Sequence, residues 1–240
     1  MKPALQNRHR IQPLLLAQSM RVRIIFSKTG PLIYIGNLDL QTMWERAARR
    51  AGLPLAYSQG FHPQPRIHFA APLPLGFSSR CEVLDARLNE ALDCGGLAPR
   101  LNAVLPDGIR VLGAEKIEDT APALQTQVLS ADYEIALQGG FEAGDLKQRI
   151  DDLLSAAALP RERRNRRYDL RPLIECLRLS KPTSETAGRI QMTLKAQDGA
   201  TGRPDEVLEA LGSPREVARI ERTALTFRRL DVESNRIITG

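Results

Sequence analysis

His62 and His68 lie six residues apart among prolines, with Asp39 upstream, and these side chains are the ones best suited to moving protons. A histidine of near-neutral pKa suits general acid–base work, so His62 with Asp39 is a candidate pair for phosphodiester cleavage. The alternative has His62 shaping its loop and His68 packing locally, and spacing alone does not decide between them. No compact ligand spacing joins the two histidines to the aspartate, so no metal site is expected. The same stretch offers a second chemistry. Tyr57, Phe61 and Phe69 interleave with His62 and Arg66, and aromatic rings stack on unpaired bases for about 1–3 kcal/mol per base. For Phe69 and Phe77 the preferred reading is a hydrophobic plug beneath a proline-rich flap.

The cations that would accompany such stacking are clustered. Between Met20 and Arg80, eight Lys or Arg face only Asp39 and Glu45, a net +6 that equals the formal excess of the whole 240-residue chain. A localised basic field points to a polyanion, RNA or DNA. Most of these cations are arginine, which suits bidentate phosphate contacts, although a genome that writes Arg for Lys throughout would give the same bias. The nucleic-acid candidates are therefore Arg21, Arg23, Arg46, Arg49, Arg50, Tyr57, Phe61, His62 and Arg66. A secondary basic patch comprises Arg161, Arg163, Arg164, Arg166 and Arg167. In a continuous strand Arg161, Arg163 and Arg167 share one face and Arg164 and Arg166 the other. A strand basic on both faces must be an edge, a ribbon or a solvated loop.

Alternation and turn signals place these residues on elements. Val22, Ile24 and Phe26 alternate with Arg21 and Arg23, a half-buried strand over 21–26 with a basic outer face. Asn37 is placed as an N-cap, and a helix over 37–51 carries Leu40, Trp44, Ala47 and Ala48 on one stripe and Arg46, Arg49 and Arg50 on another. Gly52 ends it. The stretch 53–79 holds five prolines and two glycines, which exclude a long helix or a central strand and favour a rigid loop with short extended pieces. Strands over 66–70, 80–88 and 109–117 and a helix over 92–103 complete a β-α-β-β-α-β order. That is a ferredoxin-like unit. After a linker at 121–126 the order repeats. A strand runs through Tyr133 and Leu137, Gly139-Gly140 turns, and a helix spans Leu146 to Leu154. The basic run at 161–171 leads to a strand over 173–179, a turn at Lys181–Gly188, and a strand through Ile190 and Leu194. A helix that starts near Pro204 and a strand over 221–230 close the half. The expected fold is α+β, two tandem ferredoxin-like (βαββαβ) halves with antiparallel sheets and the proline-rich loop inserted in the first. The halves are 20–120 and 127–240, behind a disordered N-terminal extension at 1–19.

Several functions are excluded or disfavoured. No stretch approaches the roughly 20 apolar residues that span a bilayer, and Leu14 to Ala17 is too short for a secretory signal. Three widely spaced cysteines, Cys81, Cys94 and Cys176, offer neither a disulfide framework nor a cluster site, which fits a reducing, cytoplasmic setting. There is no glycine-rich phosphate loop, dinucleotide fingerprint or nucleophile elbow.

Arg23-Ile24-Ile25-Phe26-Ser27-Lys28-Thr29-Gly30-Pro31-Leu32, Leu38-Asp39, Arg46 to Pro54, the proline-rich stretch and Tyr168-Asp169-Leu170-Arg171-Pro172-Leu173-Ile174 resemble the radical-SAM-linked domain of bacteria. The resemblance covers about Met20 to Leu230. It implies a partner, a radical SAM enzyme fused to the domain or encoded beside it, and no established reaction. Gly36-Asn37 stands where that family commonly has Ser-His, and Gln64 stands where a histidine often separates the two prolines. Both departures argue against a histidine-dependent reaction in this chain. The expectation is a non-catalytic accessory module that binds RNA, tRNA or rRNA, for a radical SAM enzyme. The iron–sulfur cluster and S-adenosylmethionine belong to that partner, and this chain binds no cofactor of its own. No DNA specificity is expected. The alternatives are a protein–protein adaptor without RNA binding and an RNA-processing enzyme that uses His62.

Overall fold

β1 (Met20–Lys28) is the central strand of the first half, pairing antiparallel with β3 (Ser78–Leu88) on one side and β4 (Ile109–Ile117) on the other. The structure is a computed structural model that describes residues 19–137, 143–163, 165–180, 189–197, 199–212 and 218–228. Residues 1–18 of the expected extension, the turns at Gly139-Gly140 and Lys181–Gly188, and Arg164 lie outside the described residues. Between β1 and β3 the chain forms α1 (Asn37–Arg50) and the short β2 (Ile67–Phe69), which pairs with β3; α2 (Leu97–Asn102) precedes β4. The strand order β4-β1-β3-β2 is that of a ferredoxin-like unit. Two helix starts differ from expectation. Gly36, in extended conformation, caps α1, and Asn37 is its first helical residue. α2 begins five residues late because the Asp93 carboxylate accepts the Gly95 N–H at 3.2 Å and holds that segment as a turn.

The second half continues through α3 (Leu124–Gln127), β5 (Val128–Leu137), α4 (Ala143–Ser155), β6 (Pro160–Arg163), β7 (Arg166–Asp169), β8 (Ile174–Ser180), β9 (Arg189–Gln197), β10 (Ala200–Thr201), α5 (Pro204–Ala210) and β11 (Ala218–Phe227). Pro204 opens α5, where its missing N–H costs nothing. Here the order is β11-β5-β9-β8, again antiparallel, with β10 added to β9 and β6–β7 as a separate ribbon.

The sheets of the two halves are continuous. β11 runs parallel to β3 over two residues, Glu221 against Ser78 and Arg222 against Ser79, and this splice makes one nine-stranded sheet. Successive side chains on a strand point to opposite faces. Ile24 and Leu84 join the core under α1 and α2, where the Phe26 ring meets the edge of Trp44 at 4.9 Å. Their neighbours Ile25 and Val83 pack against the core of the second half. The two cores therefore lie on opposite faces of the shared strand β3. Ala70, Leu73 and Phe77, from the proline-rich stretch, are buried in the second half's core, not their own. Phe77 is the expected plug, and Phe69 is half-buried against the first core.

Candidate nucleic-acid interface

Residues 56–66 of the proline-rich stretch form a hairpin, not an irregular loop. The Ala56 carbonyl accepts the Arg66 N–H at 2.9 Å, Tyr57 bridges Pro65, and the Ser58 N–H donates to the Gln64 carbonyl at 2.8 Å. The Ser58 hydroxyl also accepts the Gln64 main-chain N–H at 2.9 Å. Gly60, at φ 130, makes the tip in a region that L side chains rarely enter. The base is tied to the sheet by the Ala56 N–H on the Arg87 carbonyl at 2.8 Å and the Arg87 N–H on the Arg66 carbonyl at 3.0 Å. Phe61, at the tip, is 102% exposed, and His62 and Arg66 are exposed beside it.

Glu45 joins this hairpin to the helix. Its carboxylate accepts the Tyr57 hydroxyl at 3.0 Å and lies 3.5 Å from the Arg49 guanidinium one turn on. Burial, then the bond to Glu45 and its charge, push the Tyr57 phenol above its ordinary pKa, so it remains a donor at neutral pH. The contact places the hairpin beside the C-terminal half of α1, where Arg46, Arg49 and Arg50 are exposed. Arg46, Arg50 and Arg66 have no ion pair among the described residues. Sequence reading missed Glu45 as the joint; its only local signal was the i, i+4 spacing to Arg49.

Two expected members do not belong to this surface. Arg23 is 4% exposed and donates to Asp85 at 2.9 and 3.1 Å, with the Phe227 ring 5.8 Å below its guanidinium. Arg21 donates to the same carboxylate at 3.0 and 2.7 Å and to the Ala121 and Pro122 carbonyls. Asp85, on β3, turns the supposed basic outer face into a buried ion-pair cluster, and Arg21 also ties it to Ala121 and Pro122 just before α3, the helix that takes up the second half of the expected 121–126 linker. Four of the five Arg21 donors are engaged in this way, and Arg23 is closed to solvent, so neither is presented to a phosphate. His62 and Asp39 are both exposed, and no hydrogen bond joins them. Asp39 sits in the first turn of α1, six residues before Glu45, or about 9 Å at the helical rise.

The secondary basic patch is the ribbon β6–β7. Arg161 lies opposite Tyr168, Glu162 opposite Arg167, and Arg163 opposite Arg166. The chain reverses at Asn165, which adopts φ 62, so the expected parity is corrected: Arg166 shares a face with Arg161 and Arg163, while Arg167 joins Glu162. The ribbon is anchored by the Tyr168 hydroxyl on Glu206 of α5 and by Asp169, which accepts the Leu159 and Arg171 N–H groups at 2.7 and 3.0 Å.

A third charged cluster is sealed at the splice. Arg222, wholly buried, donates to the Ala71 and Pro72 carbonyls at 3.2 and 3.0 Å and lies 3.4 Å from the Glu82 carboxylate. Lys28, 1% exposed, is held below its ordinary pKa mainly by burial, with Glu82 opposing and Arg222 reinforcing the shift. These groups clamp the proline-rich stretch to β11 and are closed to solvent.

Among the described residues no group of three His, Cys, Asp or Glu could hold a metal ion, and no helix is long and apolar enough to cross a membrane. No curated protein matches the chain. A chain in the crystal structure of a Cbf5–Nop10–Gar1 complex is 10% identical, with a TM-score of 0.44 over 85% of this chain and 48% of that one. One in the structure of an H/ACA RNP bound to a substrate RNA containing 2'-deoxyuridine is 10% identical, with a TM-score of 0.42 over 86% and 47%. This chain thus spans about half the length of either, and at these scores they assign neither fold nor function. Residues 21–204 match a protein family described as uncharacterized protein conserved in bacteria, DUF2344.

Proposed function

We propose that this chain, which belongs to that family of uncharacterized bacterial proteins, is a non-catalytic module that binds RNA, tRNA or rRNA, through α1 and the adjoining hairpin. The observation that carries the reading is the Tyr57–Glu45 contact, which sets an exposed aromatic tip beside three exposed arginines. Arginines take phosphates and the rings of Phe61 and Tyr57 take unpaired bases, the pairing of charge and stacking that single-stranded RNA calls for. The finer part of the reading is that the bound RNA is presented to a radical SAM enzyme that supplies the cluster and S-adenosylmethionine. Its support is the motif resemblance over β1, α1 and the hairpin.

Charge reversal at Arg46, Arg49 and Arg50 tests the site. RNA binding measured over a salt series is expected to weaken and its log–log salt slope to flatten by about 2, since each phosphate contact contributes roughly 0.7–0.9. Unchanged affinity and slope would relocate the site. A second reading, a protein-binding adaptor, draws on Tyr34, in the turn before α1, and Leu38, in its first turn, which are 72% and 81% exposed. Co-purification of a partner that survives nuclease and high salt, with no RNA affinity, would favour it. Use of His62 for RNA cleavage is tested by His62→Ala, where unchanged turnover eliminates it.

A further inference from the structure

The two halves carry their hairpins at the same topological position. Hairpin 56–66 follows α1 and precedes β2, and the ribbon β6–β7 follows α4 and precedes β8. In the order of a ferredoxin-like unit, both are insertions between the first helix and the second strand. The second has an unusual feature. Arg163 and Arg166 face each other directly across the ribbon, both exposed, and neither side chain has an ion pair or hydrogen bond among the described residues. Like charges directly opposite on a two-stranded ribbon are destabilising. Leu159 and Tyr168, at the base of the ribbon, pack against the second core, and a two-stranded ribbon by itself is only marginally stable. Tyr168–Glu206 and Asp169 fix only its base, leaving the paired arginines at the far end.

We propose that the ribbon β6–β7 is a second phosphate-binding element, which takes a different stretch of the same RNA as α1 and hairpin 56–66. The proposal builds on the reading of the chain as an RNA binder. A phosphate seated between Arg163 and Arg166 removes their repulsion, so the repulsive pair becomes favourable on binding. Arg167 lies on the opposite face of the ribbon, across from Glu162, and does not share that phosphate. Two elements on separate halves imply a folded or extended RNA longer than one hairpin can cover, because linked contacts raise affinity only when one ligand reaches both.

The test uses the full chain and a labelled tRNA transcript, with anisotropy titrations from about 50 to 200 mM salt. Arg163→Gln with Arg166→Gln is expected to flatten the log–log salt slope by about 1–2 and to weaken binding at low salt by at least about tenfold. The melting temperature should hold or rise, since the substitution removes a like-charge pair. Unchanged slope and affinity would overturn the proposal. If the α1 reversal alone weakens binding, the ribbon claim fails and the first site stands. If the ribbon substitution alone does so, the first site fails instead. No salt-dependent binding by the unsubstituted protein overturns both.

Discussion

Asp85 accepts four guanidinium N–H bonds, two from Arg21 and two from Arg23, while only 3% exposed. Removing one member of a buried ion-pair cluster leaves uncompensated charge and costs about 3–5 kcal/mol. Asp85→Ala should therefore lower the urea midpoint by that equivalent without touching the proposed RNA-binding surface, and a loss under about 1 kcal/mol would show the cluster to be solvated. Cys81 gives a second residue-scale prediction. Burial, with the Glu82 charge adding to it, pushes its thiol up to about 11. Only the thiolate is nucleophilic, so at pH 8 Cys81 should resist iodoacetamide in the native protein and react once urea unfolds the chain. The sign for stability follows: the folded thiol holds its proton longer than the unfolded one, so its stabilising contribution is complete below about pH 9 and is lost as pH rises toward 11.

Among the elements, β1, α1 and β4 were legible because their patterns are local. Val22, Ile24 and Phe26 alternate, Leu40, Trp44 and Ala48 repeat at helical spacing, and β4 spans the expected Ile109–Ile117. Hairpin 56–66 was not legible as a hairpin. Its pairing is carried by backbone groups and a serine hydroxyl, and its prolines read only as loop. Arg23 was misplaced for a different reason. Alternation marks it as pointing away from the first core, but what lies on that side depends on Asp85, 62 residues away, and on Phe227. Of the candidate site, α1 with Tyr57, Phe61, His62 and Arg66 forms one surface, and Glu45 joins it. The hairpin tip supports an element-scale prediction. Phe61→Ala removes a ring that packs on nothing, so stability should stay within about 0.5 kcal/mol, while RNA affinity falls by roughly 1–3 kcal/mol if the ring stacks on a base. Unfolding curves and binding isotherms of the same variant separate the two.

At the scale of the whole molecule, the halves share strand β3, and the first half lends Ala70, Leu73, Phe77 and Val83 to the second core. Unfolding in urea should thus follow one transition, with intrinsic fluorescence from Trp44 in the first core and circular dichroism from both halves changing together. Separate transitions would mean that the splice is weaker than its buried residues imply. The splice also sets a timetable for synthesis. The Ser78 hydroxyl donates to the Ile220 carbonyl across 142 residues of sequence, so β3 leaves the ribosome long before the strand that completes it. At about 5–20 residues per second that interval is roughly 7–30 s. Throughout it the core around Leu73, Phe77 and Val83 lacks Ile220 and Leu225, so this stretch stays incompletely covered until synthesis is almost over.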